Sequence, residues 1–429
     1  MNERARSIDH DALLLLGMYS SRLWSLAIPP VLFACSSGDP GTSPGSGGSA
    51  GTGGISVGTG GQIAGVGGSS AGGSSSGVGG SSTGGATASG GTTQTGGAGG
   101  SEASGGAPAA GGSGGGGSVD PGQISITDAV PGFASVEGGT TGGGTDLGTA
   151  IAVSTMSELQ DAAKTSGSAI ILVEPGTYAG SLNVTSDKTI IGTLPGVMIQ
   201  GNVSISGSGV SNVIVRNLAI RGNPCATYDE CKAGADAVYV GNGAHHVWLD
   251  HLDISDGQDG NCDTTQGADY ITVSWTKFYY TYDKEHRFSN LIAGSDDEPN
   301  SVGKLHITYM NSDWGERVDT RQPRGRFGNI HMLNNYHHTG GGQIHGVGKD
   351  MALIAEHCFY DESISIWTDM GSPRGWKGIG NEGTASDLNA TLGTVFTIPY
   401  SYTPLPASEV VAAVTKAECG AGNTCTLQH

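Results

Sequence analysis

Short β-branched runs return along the second half of this chain at a nearly fixed interval. They include Ala169-Ile170-Ile171-Leu172-Val173, Val213-Ile214-Val215, Val247-Trp248-Leu249, Tyr270-Ile271-Thr272-Val273, Leu305-His306-Ile307, Ile330-His331-Met332 and Leu353-Ile354-Ala355. The apolar or aromatic positions that trail them are Ile220, Ile254, Phe278, Trp314, Tyr336 and Phe359, separated by 34, 24, 36, 22 and 23 residues. A basic period near 23, lengthened twice by about a dozen residues, fits a coil with loops inserted on particular turns. A β-sandwich needs hairpin signals every 8–12 residues or so, and these are absent. The pattern therefore predicts an all-β chain wound as a right-handed parallel β-helix. Parallel coils stack like on like, which places Asn334-Asn335 in a side-chain ladder. The two long separations contain residues 221–235 and 283–304, and loops on a rigid scaffold commonly carry function. Before the coil, Thr155-x-x-Glu158 reads as a capping box opening a short helix to about Lys164. The tail from Thr384 is weakly patterned, with 387–413 irregular or partly helical against the outside of the coil.

Upstream the composition changes. Between Ser36 and Ser118 nearly every residue is Gly, Ser, Thr or Ala, and the chain holds 77 glycines in all. Such a stretch has too little apolar surface to offset its chain entropy, so a disordered linker is expected. Ahead of it, Trp24 to Ala34 is apolar, follows Arg22 and ends at Cys35. Leu32-Phe33-Ala34-Cys35 resembles a bacterial lipobox, and the run is too short to span a bilayer. Residues 1–17 add nothing to such a signal, which leaves Met1 and Met18 both open as starts. The expected organisation is a lipoprotein-type signal over 1–35 with Cys35 lipidated, a linker over 36–122, and a folded domain over 123–429. The corresponding location is extracellular, or the outer membrane or surface of a Gram-negative cell, with membrane contact only through that lipid.

The net charge of −19 belongs to the folded part, which carries −16 of it. An acidic surface argues against a nucleic-acid partner. It also repels acidic polymers, so a polyanion site here needs local cations. Six cysteines remain besides Cys35, an even number that suggests disulfides in an exported chain. Cys225 with Cys231 and Cys419 with Cys425 are close enough to close local loops, which leaves Cys262 with Cys358 as a long-range tie. Sequence alone does not fix this pairing.

Three stretches carry the candidate chemistry: Gly234-Ala235-Asp236, Asp259-Gly260-Asn261-Cys262-Asp263, and Arg321-Gln322-Pro323-Arg324-Gly325-Arg326. Asp236, Asp259 and Asp263 are carboxylates at strand ends or loops of neighbouring coils, and calcium favours flexible carboxylate clusters supplying six to eight oxygens. Asp-x-x-x-Asp alone is equally a pair of solvated loop acids. No Cys or His spacing suggests zinc. His251 and Trp248 read as packing, and His306, His331, His345 and His357 take no role.

Together the three stretches, in this order, closely resemble the pectate lyase family of parallel β-helix polysaccharide lyases, from about Gly132 to Phe359. That resemblance implies a secreted monomer that cleaves polygalacturonate by β-elimination with Ca2+. It implies Asp236, Asp259 and Asp263 as the metal ligands, Arg321 as the base, and Arg326, Arg324 and Lys284 as substrate-binding residues. Some members carry a further aspartate where this chain has Gly234. The alignment at Lys284 is the loosest, because the segment after Trp275 is longer and Phe288-Ser289-Asn290 differs from the common form. A guanidinium is ordinarily protonated, so Arg321 as a base implies an alkaline optimum; otherwise the arginines only grip a polyanion. A pectin lyase acting on esterified polymer, a hydrolase using Ser295-Asp296-Asp297, and a non-catalytic polysaccharide binder are the rival readings.

Overall fold

A computed structural model describes residues 122–338 and 341–428. The residues expected to form a signal segment ending at Cys35 and a linker lie, up to Pro121, outside the described residues. The described chain is a parallel β-helix of about 10 turns, the fold class predicted above. One ladder holds eleven strands, from Ile151–Val153 through Ser211–Arg216, His245–Asp250 and Asp269–Ser274 to Gly375–Ile379 and Thr391–Gly393. All of its pairings are parallel except the last.

The other two walls begin as one. Gly176–Asn183 and Val197–Ser206 are long strands that pair over eight residues. Val197–Ser206 then divides its pairing between Ala219–Arg221 and Val238–Gly241. From that coil onward each turn has three short strands. A second ladder runs Ala219–Arg221, Asp253–Ser255, Lys277–Tyr279, Asp313–Trp314, Tyr336–His337 and Phe359–Tyr360. A third runs Val238–Gly241, Cys262–Thr264, Leu291–Ile292, Arg324–Gly325, His345–Val347 and Trp367–Asp369. The inward residues, including Val215, Leu249, Val273, Ile307, Met332 and Leu353, form one continuous buried core.

The corner between the first and second ladders is always two residues long. Its first residue is left-handed, as at Asn217 (φ 54°), His251 (49°), Trp275 (46°), Asn311 (51°), Asn334 (54°) and His357 (50°). Its second points inward and bonds to the next coil. Thr276 N donates to Ser312 Oγ, Ser312 N to Asn335 Oδ1 and Cys358 N to Asn381 Oδ1, at 3.2, 2.9 and 2.8 Å. Asn335 therefore sits in a ladder as expected. Asn334 instead faces out, holding the C-terminal segment through both Leu405 N and Leu405 O.

Two expectations are corrected. The coil register pairs Trp314 with His337, not Tyr336, and His337 with Tyr360, not Phe359. Strands alternate sides, so Tyr336 and Phe359 point outward and pack beneath the helix Ala407–Val414. The interior column is Phe278, Trp314, His337 and Tyr360, with His337 stacked 4.6 Å from each neighbouring ring. Second, Cys225–Cys231 and Cys419–Cys425 are disulfides, but Cys262 and Cys358 are free buried thiols. Cys262 lies on the third ladder and Cys358 in the fourth two-residue corner after it. More than three coils of about 4.8 Å each separate them, so the two are over ~14 Å apart along the axis, beyond the reach of a disulfide. Burial pushes the Cys358 thiol up to about 11 and holds that of Cys262 well above the ordinary value.

The capping box forms as read. Thr155 Oγ1 accepts from Glu158 N, and the Glu158 carboxylate accepts from Thr155 N at 3.0 Å, opening the helix Met156–Ala163. Residues 132–143 form a strap across the first ladder, where Phe133 N and Ala134 N donate to Thr308 and Thr272 hydroxyls. Gly132 has φ 67°, and a β-carbon there would lie 2.5 Å from Thr272 Oγ1, so this close approach requires glycine.

Candidate active site

Residues joining the second ladder to the third carry the candidate site, and they come from successive coils. Asp236 precedes the strand Val238–Gly241. Asp263 lies in the next strand, Cys262–Thr264, where alternation buries Cys262 inward and turns Asp263 outward. Asp236 and Asp263 converge over Gly260: a β-carbon at Gly260 would lie 2.7 Å from Asp263 Oδ1 and 3.0 Å from Asp236 Oδ1. Asp263 Oδ1 accepts from Leu291 N at 2.9 Å, whereas Asp236 Oδ1 is buried with no hydrogen-bond partner. Asp259 is more open, with Oδ1 2.8 Å from His286 Nε2.

Neighbouring carboxylates disfavour one another's charge, although the three aspartates do not bring one oxygen each within 4.8 Å of the others. Burial first, then the charges of Asp263 and Asp259, push the Asp236 carboxyl well above the usual range, with Arg321 pulling the other way. Burial raises Asp263 to about 7, although Leu291 N–H and Arg321 favour its ionised form. A hard cation relieves this repulsion and gives the orphaned Asp236 oxygen a partner, so the donor set fits calcium. At Gly234 a β-carbon would lie 2.4 Å from Gln258 Cβ, so a side chain there needs Gln258 to shift. The described residues hold one tight group of His and Cys, His251 with Cys419 and Cys425, but its sulfurs are bonded to each other.

Arginines line the wall two coils beyond Asp263. Arg321 has φ 67°, and its guanidinium lies 4.3 Å above the Phe288 ring. Arg324 pairs with Leu291 on the third ladder, and burial with the charges of Arg326 and Arg321 lowers its pKa. Arg326 donates Nη1 to Ala293 O at 3.0 Å and Nε to Asp296. Asp296 is thus engaged in orienting an arginine, which weakens the hydrolase reading.

Lys284 is placed differently from the expectation. Its Nζ donates to Gly257 O and, at 2.9 Å, to Gln258 O, and it lies 4.8 Å from the Tyr280 ring centre. Lys284 is 9% exposed, and burial lowers its pKa to about 8 against the pull of Asp256 and Asp259. It braces the loop that carries Asp259 rather than facing an incoming polymer. His251 packs, as expected: Nδ1 meets Asp250 Oδ2 at 2.7 Å, and the ring stacks on Trp275. Sequence reasoning missed His286, gave Phe288 no role and offered Asp296 only as a hydrolase acid. All three lie in the long separation between Phe278 and Trp314, where the coil period is broken and gives no register.

Comparison with known proteins agrees with this geometry. The sequence profile described as pectate lyase matches residues 122–423. Pectate lyase plyB of Emericella nidulans is 37% identical over 204 residues, 44% of this chain and 56% of that protein. The chain thus spans little more than half the length of that relative. Pectate lyase A of Aspergillus niger is 31% identical over 265 residues, 58% of this chain and 75% of that one. A Bacillus sp. N165 pectate lyase solved with trigalacturonate shares the fold at TM-score 0.56 and 22% identity, covering 68% of this chain and 98% of its own. With the profile spanning most of the chain and the carboxylates and arginines meeting on one wall, the chain belongs to the pectate lyase family.

Proposed function

We propose that this protein is a calcium-dependent pectate lyase that cleaves (1→4)-α-D-galacturonan by β-elimination and leaves 4,5-unsaturated ends. The observation that carries the reading is the convergence of Asp236 and Asp263 over Gly260, within the electrostatic reach of Arg321. Asp236, Asp259 and Asp263 would hold Ca2+, which when bound neutralises a substrate carboxylate and stabilises the charge that develops on it.

The chain's own groups do the rest. Arg321 takes the proton from C5; the C–H electron pair becomes the C4=C5 double bond; the C4–O bond breaks, and the leaving oxygen is protonated from solvent. Arg324 and Arg326 bind neighbouring carboxylates, Arg326 offering the guanidinium edge not used on Ala293 and Asp296. Lys284 holds the Gly257–Gln258 carbonyls in place. Retention of three aspartates favours the free acid over the methyl ester, since an ester has no charge to neutralise. Exported display through Cys35 and the linker completes the reading.

Ultraviolet absorbance of the conjugated uronate tests it. Polygalacturonate should give a rise that a chelator abolishes and calcium restores. A chelator-insensitive rise on esterified polymer would instead mark a pectin lyase, and polymer binding with no rise a non-catalytic binder.

A further inference from the structure

A row of rings runs from the stapled loop to Arg321. Tyr228, in the short helix after Cys225, is 5.0 Å from His286; His286 is 4.1 Å from Phe288; and the Arg321 guanidinium lies 4.3 Å over Phe288. Phe288 is pinned from several sides. Its carbonyl accepts from the buried Tyr280 hydroxyl at 2.6 Å, and it pairs with Thr320, the residue just before Arg321. His286, 2% exposed, backs the ring while reaching Asp259.

Arg321 needs such a support. Its backbone is fixed, with φ 67° and a carbonyl that accepts from Asn290 N at 2.8 Å. Its side chain is long, and holding it in one rotamer costs entropy. Among the described residues Arg321 makes no ion pair, whereas Arg326 is tied to Asp296. The face of an aromatic ring attracts a guanidinium and shields one side of it from water.

We propose that Phe288 is the positioning residue for Arg321, with His286 behind it as the link that sets the ring relative to Asp259. This rests on Arg321 being the base. The ring defines the plane in which the guanidinium lies, so the group meets the substrate in one orientation. A methionine or leucine can fill the volume but offers no face.

Full-length Phe288→Met and Phe288→Tyr are compared with the wild type, using two readouts. In protein labelled with carbon-13 at arginine, the Arg321 side-chain protons, assigned through Arg321→Lys, should resonate upfield in the wild type and Phe288→Tyr and move back downfield in Phe288→Met. In steady-state assays Phe288→Met should lose about 10-fold or more in kcat with KM within about threefold, since small misplacements of a reacting group carry costs of this order. Phe288→Tyr should stay within about threefold of wild type in both. An unshifted Arg321 signal in the wild type overturns the proposal by itself, as does wild-type kcat in a folded Phe288→Met or an equal loss in both variants. Phe288→Leu substitutes if Phe288→Met does not fold. If no lyase activity is found at all, the functional reading fails while the proton shifts still decide where the ring holds the arginine.

Discussion

Whether Arg321 abstracts a proton or only grips a polyanion is decided by one substitution. Arg321→Lys keeps the positive charge and loses the planar fork. Turnover should fall by about 100- to 10,000-fold, the usual range for a lost general base, while equilibrium binding of polygalacturonate stays within about threefold. Matching losses in both would favour the grip. At the same scale, Asp250 carries structure rather than chemistry. Burial would raise its pKa, but His251, Arg216 and Ser274 outweigh that and hold it well below the usual carboxylate range. Arg216 Nε lies 2.8 Å from Asp250 Oδ2, both groups being nearly fully buried. Asp250→Asn removes the buried one of that guanidinium's two charge partners, leaving Asp128 at 2.9 Å, and should cost up to about 3–5 kcal/mol in denaturant unfolding. The depressed pKa means that this stability is present above the ordinary carboxylate pKa of about 4 and lost as pH falls below it. His345 acts in the same direction. Burial lowers it to about 3, so its contribution is present above an ordinary pKa of about 6.5 and lost as pH falls toward 3. The thermal midpoint should therefore decline from about pH 6.5 downward and more steeply below about pH 4; a flat profile there would contradict both assignments.

Regular strands and irregular connections differ in what a sequence reveals. The coil period was legible because β-branched runs must return to the same wall, and the capping box was legible because it is local. The repeat was counted one residue early at Tyr336 and Phe359, since each is an aromatic ring directly ahead of the residue that continues the column, His337 and Tyr360. Only stacking against Trp314 and the Gln322 side chain shows why an imidazole can be buried there. The Asn335 ladder was anticipated, and it carries a measurable load. Asn335 accepts from Ser312 N and donates to Tyr309 O, each at 2.9 Å in the core. Asn335→Ala leaves a buried N–H and a buried carbonyl unpaired, which should lower stability by about 2–4 kcal/mol. Denaturant titration checks this, and an unchanged midpoint would mean that water or a neighbour replaces the amide.

For the molecule as a whole, the folded part that carries the wall of arginines has a net charge of −16. Long-range repulsion of polygalacturonate is screened more readily than contact pairs at that wall. Raising monovalent salt from about 10 to 100 mM shortens the screening length from about 30 to 10 Å, so KM should fall over that range at saturating calcium. A steady rise from the lowest salt would show that the arginine strip controls the encounter. The carboxylates and arginines themselves were legible as motifs, because their spacing survives on the ladders. Phe288 and the actual bonds of Lys284 were not, because no repeat constrains a loop's path.

The corners of this coil differ in their freedom. From Asn217 onward the one between the first and second ladders keeps two residues, a left-handed hinge followed by an inward side chain. The corner between the second and third ladders varies from six to sixteen residues, and the one that returns to the first ladder from three to thirteen. Insertions and deletions are absorbed along these two seams, where they leave strand parity untouched, and the first of them carries the candidate site. New ligand preferences can thus arise by lengthening or trimming the edges of the cylinder beside it while the winding itself stays as it is.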